Sequence, residues 1–236
     1  MKDSKKYSQK VGKLFRSLKQ KYPKVEKTTY DDPVDAIVYA VISEHMPVSA
    51  VGRIIKRIEK HFVDLNDLRV SRAEEIIEVM GISAGESKKT VSVLTKVLNA
   101  IFDKFDMDSL VDLKDIGKRQ AKKKLEQIDV LSRFAINYCF LTSLGGHAIP
   151  LTEKMVNYLK VCELVHPEAT DDDIEGFLER QITSAKAYGF YSLLRQESEN
   201  SNIKVKKTNK TSTKKAVTKK KTKKTAQKTS RTKRKS

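Results

Sequence analysis

The chain has no tryptophan and is short of cysteine, proline and glycine, with two, five and nine among 236 residues. Two cysteines, Cys139 and Cys162, are too few for a disulfide framework or for a four-thiolate iron–sulfur or zinc centre within one chain. Both are expected to be free, buried thiols in a reducing compartment. The four histidines, His45, His61, His147 and His166, lack metal-ligand spacing, so no metal or other cofactor is expected. No apolar run reaches the ~20 residues that span a bilayer. Nor does MKDSKKYSQK lead into the apolar stretch of a signal peptide. These absences point to an intracellular protein, cytoplasmic and nucleoid-associated, or nuclear in a eukaryotic cell. Alternating polar and apolar residues are also missing over any useful length, which argues against a sheet.

The last absence is acid at the C-terminal end. Residues Ser201–Ser236 hold 16 of the 48 Lys+Arg and no Asp or Glu, so residues 1–200 hold 32 basic against 30 acidic residues. The overall charge of +18 therefore belongs almost wholly to the tail. A Lys/Thr/Ser segment of this kind cannot bury enough apolar surface to offset chain entropy, so disorder is expected. It resembles the lysine-rich tails of linker histones and of some bacterial nucleoid proteins. Lys214, Lys215, Lys219, Lys220, Lys221, Lys223 and Lys224 are expected to hold a polyanion, double-stranded DNA, nonspecifically.

What the first 200 residues do have is helical periodicity. Val11, Leu14, Phe15 and Leu18 place one apolar face on a basic first helix, ended by Tyr22-Pro23. Asp32-Pro33 opens a second helix, whose run Ala36–Ile42 is apolar nearly all round and should be central. Pro47 breaks it, and Val51, Ile54, Ile55, Ile58 and Phe62 mark a third. Ser71-Arg72-Ala73-Glu74 and Ser83-Ala84-Gly85-Glu86 read as capping boxes, the first of a short helix that stops at Gly81. Thr170 followed by three aspartates starts a helix through Gln181, and Ser184 caps a last one to about Glu197. The fold class is all-α.

The densest signal is Leu125–Met155, LEQIDVLSRFAINYCFLTSLGGHAIPLTEKM. A short helix ends at Ile128, a tight turn follows, and an apolar helix runs from about Leu131 to Leu144. Gly145-Gly146 stops it, and Pro150-Leu151-Thr152 leads into another helix. This stretch resembles the helix-hairpin-helix module of the endonuclease III-like (HhH-GPD) DNA glycosylases, and the resemblance extends over roughly Pro33 to Glu197. That family carries a catalytic Lys and Asp eighteen residues apart; the same ungapped register puts Phe134 and Thr152 here. The hairpin glycines, whose bare backbone approaches a phosphate, are Val130 and Ser132. The family's helical L-S-x-Q reads Ile42-Ser43-Glu44-His45, and its iron–sulfur cysteines are missing. A second register, with Leu113–Ala121 as the hairpin, leaves a following helix too polar to be buried.

The resemblance implies a two-lobed helical body over residues 1–200. One lobe would be about 31–130 and the other 1–30 plus 131–200, with DNA between them and the basic tail, 201–236, appended. A glycosylase stabilises positive charge on the sugar with a carboxylate, and bifunctional members attack with an amine. Phe134 and Thr152 supply neither: Phe134 falls in a core row with Leu131, Tyr138 and Leu141, and Thr152 sits where an N-cap belongs. Glu153 and Lys154 are candidate substitutes, although each is rotated about 100° per residue from position 152. His45 and His147 are candidate cleft bases. Val130, Leu131, Ser132 and Arg133 are the candidate backbone-gripping turn, with Asp129 opposing.

Three readings stay open. One is a non-catalytic DNA-binding relative of the base-excision-repair glycosylases, with a protein partner able to supply catalysis. Another is an active DNA glycosylase with an altered site. The third is an architectural nucleoid or chromatin protein. A monomer is expected in each case.

Overall fold

Asp32 starts the helix around which the rest is arranged, its carboxylate accepting the Val34 amide at 2.8 Å ahead of Pro33. The computed structural model describes residues 4–81, 84–105 and 109–201, and every regular element among them is helical. The first half comprises α1 (Ser4–Lys21), α2 (Pro33–Ser43), α3 (Val48–His61), α4 (Leu65–Val70), α5 (Ala73–Met80) and α6 (Ala84–Phe105). A short 3-10 turn (Val111–Lys114) then precedes α7 (Lys118–Glu126), α8 (Arg133–Thr142), α9 (Glu153–Val161), α10 (Asp171–Gln181) and α11 (Ser184–Asn200). None of these described helices is long and apolar enough to cross a membrane.

The nearly all-apolar α2 is buried on every side except at Asp35 and Tyr39, so it must be covered all round. It packs against α3, α6 and above all α8. α8 is as deeply placed: Phe134, Ala135 and the run Asn137–Thr142 are buried. Cys139 Sγ lies 3.5 Å from the Pro33 carbonyl, and burial pushes its thiol pKa up, so it stays protonated. Around this pair, α3, α4, α5 and α6 pack on one another, while α1 and α9 pack on α11 and α10 packs on α1. Between α7 and α8 the chain turns through residues 127–132, forming the expected helix-hairpin-helix.

The loop after α8 depends on its glycines. Gly145 has φ +59°, a left-handed conformation costly for other residues. A Cβ on Gly146 would lie 2.2 Å from the Phe140 ring, while its amide donates to the Phe140 carbonyl at 2.7 Å. This tight reversal returns Ala148–Thr152 into the core and aims Thr152 at the start of α9.

Several local expectations change. Cys162 is exposed, because it falls just past the buried face of α9; only Cys139 is a buried thiol. Ser71 does not cap α5: its hydroxyl donates to Asp67 O at 2.8 Å and closes α4, a helix absent from the sequence reading. Arg72 is the N-cap of α5 instead, and Gly81 ends it as expected. Ser184 lies inside α11, whose N-cap is Thr183. Thr170 and Asp173 form a complete capping box. Ser83 and the tail lysines lie outside the described residues.

Candidate functional site

Ser132 starts α8 by accepting the Ala135 amide at 3.1 Å. The first turn of the helix points Phe134 inward, where it is 2% exposed. Phe134 lies against Tyr138 and Tyr191, with ring centroids 6.0 and 6.3 Å away. Tyr138 stacks on Tyr39 of α2 at 5.2 Å and meets Tyr191 of α11 edge-on at 5.7 Å. Its hydroxyl is 3.2 Å from that of Tyr30. Burial pushes the pKa values of Tyr30, Tyr138 and Tyr191 up, so all three remain neutral hydroxyls.

Arg195 of α11 closes this cluster. It is 3% exposed, and its guanidinium lies 5.6 Å from the Phe134 ring centre. Nε pairs with Glu199, and Nη2 donates to the carbonyls of Ser43 and Met46, the latter at 2.8 Å. Nη1 is buried without a partner among the described residues. Glu199 also accepts the Val48 amide at 3.1 Å, which joins the end of α11 to the start of α3.

Two cavities flank Arg195 and Glu199. The larger, about 460 Å³, is bordered by Tyr39, Tyr138, Tyr188, Tyr191 and the start of α3. The smaller, about 130 Å³, is bordered by Glu44, His45, Met46, Thr152, Glu153 and Lys154. Thr152 thus shares a cavity with Arg195, whose guanidinium lies near Phe134, eighteen residues earlier. Thr152 is 4% exposed, and its hydroxyl accepts the Met155 amide at 3.5 Å as the N-cap of α9. Glu153 and Lys154 border the small cavity beside it, although helical rotation alone suggested that they turn away. His147 borders neither cavity: its Nε2 lies 2.8 Å from the Ile182 carbonyl, which ties the loop to the end of α10.

The hairpin turn offers less than its position suggested. Arg133 is engaged by Asp172 and by Glu175, the latter at 2.5 Å. Burial raises the pKa of Glu175, and Arg133 opposes that shift. The Leu131 amide donates to the Ile128 carbonyl at 2.9 Å, and the Ser132 hydroxyl is used as the cap. No residue of the turn has positive φ, so Val130 and Ser132 adopt its backbone without strain. Val130 is exposed. No group of three metal-ligating side chains occurs among the described residues.

Sequence reasoning missed Tyr39, Tyr191 and Arg195. Their signal was Tyr188, Tyr191 and Arg195 recurring at i, i+3 and i+7, which set a charged residue on the inward stripe of an apolar helix.

No family model and no curated protein sequence matches this chain. Solved structures do. A trapped endonuclease III–DNA covalent intermediate superposes with a TM-score of 0.63 at 14% identity, over 80% of this chain and 84% of that one. The Clostridium acetobutylicum 8-oxoguanine glycosylase/lyase, in complex with double-stranded DNA containing cytosine opposite 8-oxoG, gives 0.63 at 12%, over 84% and 71%. The H. pylori 3-methyladenine DNA glycosylase bound to 1,N6-ethenoadenine gives 0.59 at 13%, over 85% and 100%. The chain has the all-helical fold of the endonuclease III-like (HhH-GPD) DNA glycosylases.

Proposed function

We propose that this protein binds duplex or damaged DNA on a base-excision-repair scaffold that no longer excises. The observation that carries this reading is the Phe134–Arg195–Thr152 arrangement. At the two positions where the family keeps an amine and a carboxylate, this chain has an apolar ring and a cap hydroxyl, and a buried guanidinium lies 5.6 Å from the ring centre and borders the same small cavity as the hydroxyl. Stabilising a departing base needs negative charge near the sugar. Here a fixed positive charge borders the same cavities, and its partner Glu199 is occupied by Arg195 and the Val48 amide. DNA would lie between lobes of about 31–130 and 1–30 plus 131–200. The tyrosine-bordered cavity beside Phe134 suits a base turned out of the stack, since aromatic faces stack on any base. The tail would add nonspecific hold.

Glu153 and Lys154 support a second reading, an active glycosylase with a relocated site, because both border the cavity that Thr152 borders. Binding by residues 1–201 tests the first reading against an architectural protein that works through its tail alone. Affinity for duplexes bearing uracil, oxidised bases or an abasic site should exceed that for the undamaged duplex. Absence of any binding by this truncated chain at low salt contradicts the proposal and favours the architectural role.

A further inference from the structure

At the far end of α7 from the hairpin, the turn leading into the helix and the glycine loop after α8 enclose a cavity of about 280 Å³. Lys114 and Lys118 border it together with Ser143 and Gly145, and no carboxylate does. Lys118 Nζ donates to the Gly145 carbonyl at 2.6 Å, and Lys114 Nζ to the Tyr30 carbonyl at 3.2 Å. These neutral carbonyls hold the ammonium groups in place without cancelling their charge. The excess continues along α7 through Arg119, Lys122, Lys123 and Lys124, against one acid, Glu126. None of these cations makes an ion pair among the described residues.

Beyond those two carbonyl bonds and the Lys122 ammonium over the Phe140 ring at 5.3 Å, the fold gains little from this arrangement. Lys118 and Arg119 occupy the first turn, where the positive end of the helix dipole disfavours cations. Lys118–Lys122 and Arg119–Lys123 are like charges four residues apart, which repel. Only Ala121 and Leu125 bury themselves to hold the helix down. Asp112 and Asp115, on the preceding turn, are the nearest acids in sequence before the helix. Such self-repelling charge is relieved by a ligand that carries negative charge. Meanwhile the one cation of the hairpin, Arg133, is held by two carboxylates.

We propose that Lys114, Lys118, Arg119 and Lys122 form a contact surface for the phosphate backbone of duplex DNA, with one phosphate seated between Lys114 and Lys118. This rests on the DNA-binding reading above and adds the surface that carries it. In the full-length protein, Lys114→Gln, Lys118→Gln and Arg119→Gln are combined. The control removes the same charge from α6, with Lys88→Gln, Lys89→Gln and Lys96→Gln. Binding of a short duplex is followed by fluorescence anisotropy over a salt series. The first triple should lower the slope of log affinity against log salt by about two to three units, at about 0.9 per phosphate contact. The α6 triple should change it by less than half as much. Coincident behaviour of the two triples overturns the surface while leaving DNA binding intact, and assigns the basic face to an acidic protein instead. A wild-type protein that does not bind the duplex overturns the DNA-binding reading and this surface with it. Should the first triple not fold, amine acylation of the wild-type protein decides. Saturating duplex should protect Lys114 and Lys118 at least several-fold and spare Lys88, Lys89 and Lys96; unchanged reactivity at Lys114 and Lys118 overturns the proposal.

Discussion

Arg195 is the residue on which the reading of the site turns. A guanidinium that is 3% exposed is tolerated only because Glu199 and two carbonyls receive it. Arg195→Met keeps the volume but leaves the largely covered Glu199 carboxylate and the Ser43 and Met46 carbonyls without their cation, so a loss of about 3 kcal/mol is expected in urea unfolding. A loss below about 1 kcal/mol would show that Arg195 does not organise the cluster. Phe134→Lys should be worse tolerated than a loss of ring packing alone. It would place an ammonium beside Arg195 and cost several kcal/mol. A Phe134→Lys protein as stable as wild type would mean that position 134 does not face Arg195. The core packing of Phe134 and the N-cap role of Thr152 were legible in the sequence because helical spacing fixes them. Arg195 was not, since its partners, Ser43, Met46 and Phe134, lie far away in sequence and only folding brings them together.

At the scale of elements, the caps were read well where a side chain faces its own helix. They were misread where tertiary or neighbouring groups compete. Thr170 caps α10 as its sequence announces, whereas Ser71 prefers the last carbonyls of α4, a six-residue helix too short to show a period. Thr170→Ala should cost about 1 kcal/mol in thermal or urea unfolding. Asp173 titrates below its ordinary value near 3.8, because the Thr170 hydroxyl and amide both donate to its carboxylate. As pH falls, the unfolded chain therefore takes up this proton before the folded chain does. The contribution of Asp173 is complete above the ordinary value and is lost as pH drops through the lowered one. The stability difference between wild type and Asp173→Asn should be flat near neutrality and shrink on acidification below about pH 4. A difference that persists unchanged into strong acid would contradict the hydrogen-bonded carboxylate.

For the whole molecule, the all-α architecture was legible because α2 and α8 are apolar on nearly every face and leave no ambiguity about what lies at the centre. The cavities were not, since each is bordered by segments distant in sequence. Charge is unevenly distributed along the chain. Residues 1–200 are close to neutral, whereas Ser201–Ser236 carries 16 cations and no acid. If about six of those cations engage phosphates at once, they contribute a salt slope of roughly −5. Deleting the segment should flatten the slope by that amount and leave the unfolding temperature of the body unchanged; an unchanged slope would show that the tail does not hold DNA.

Binding without excision is tested most directly by single-turnover incubation. Full-length protein in excess is held with duplexes bearing uracil, oxidised purines, oxidised pyrimidines, alkylated bases or an abasic site. Base release and borohydride-trapped adducts are scored alongside the fraction bound. Saturated binding is expected, with base release at the protein-free rate and no trapped adduct, because Phe134 offers no amine and Thr152 no carboxylate. Release well above that rate, or an adduct that disappears in Lys154→Ala, would contradict it and place a working site at Glu153 and Lys154.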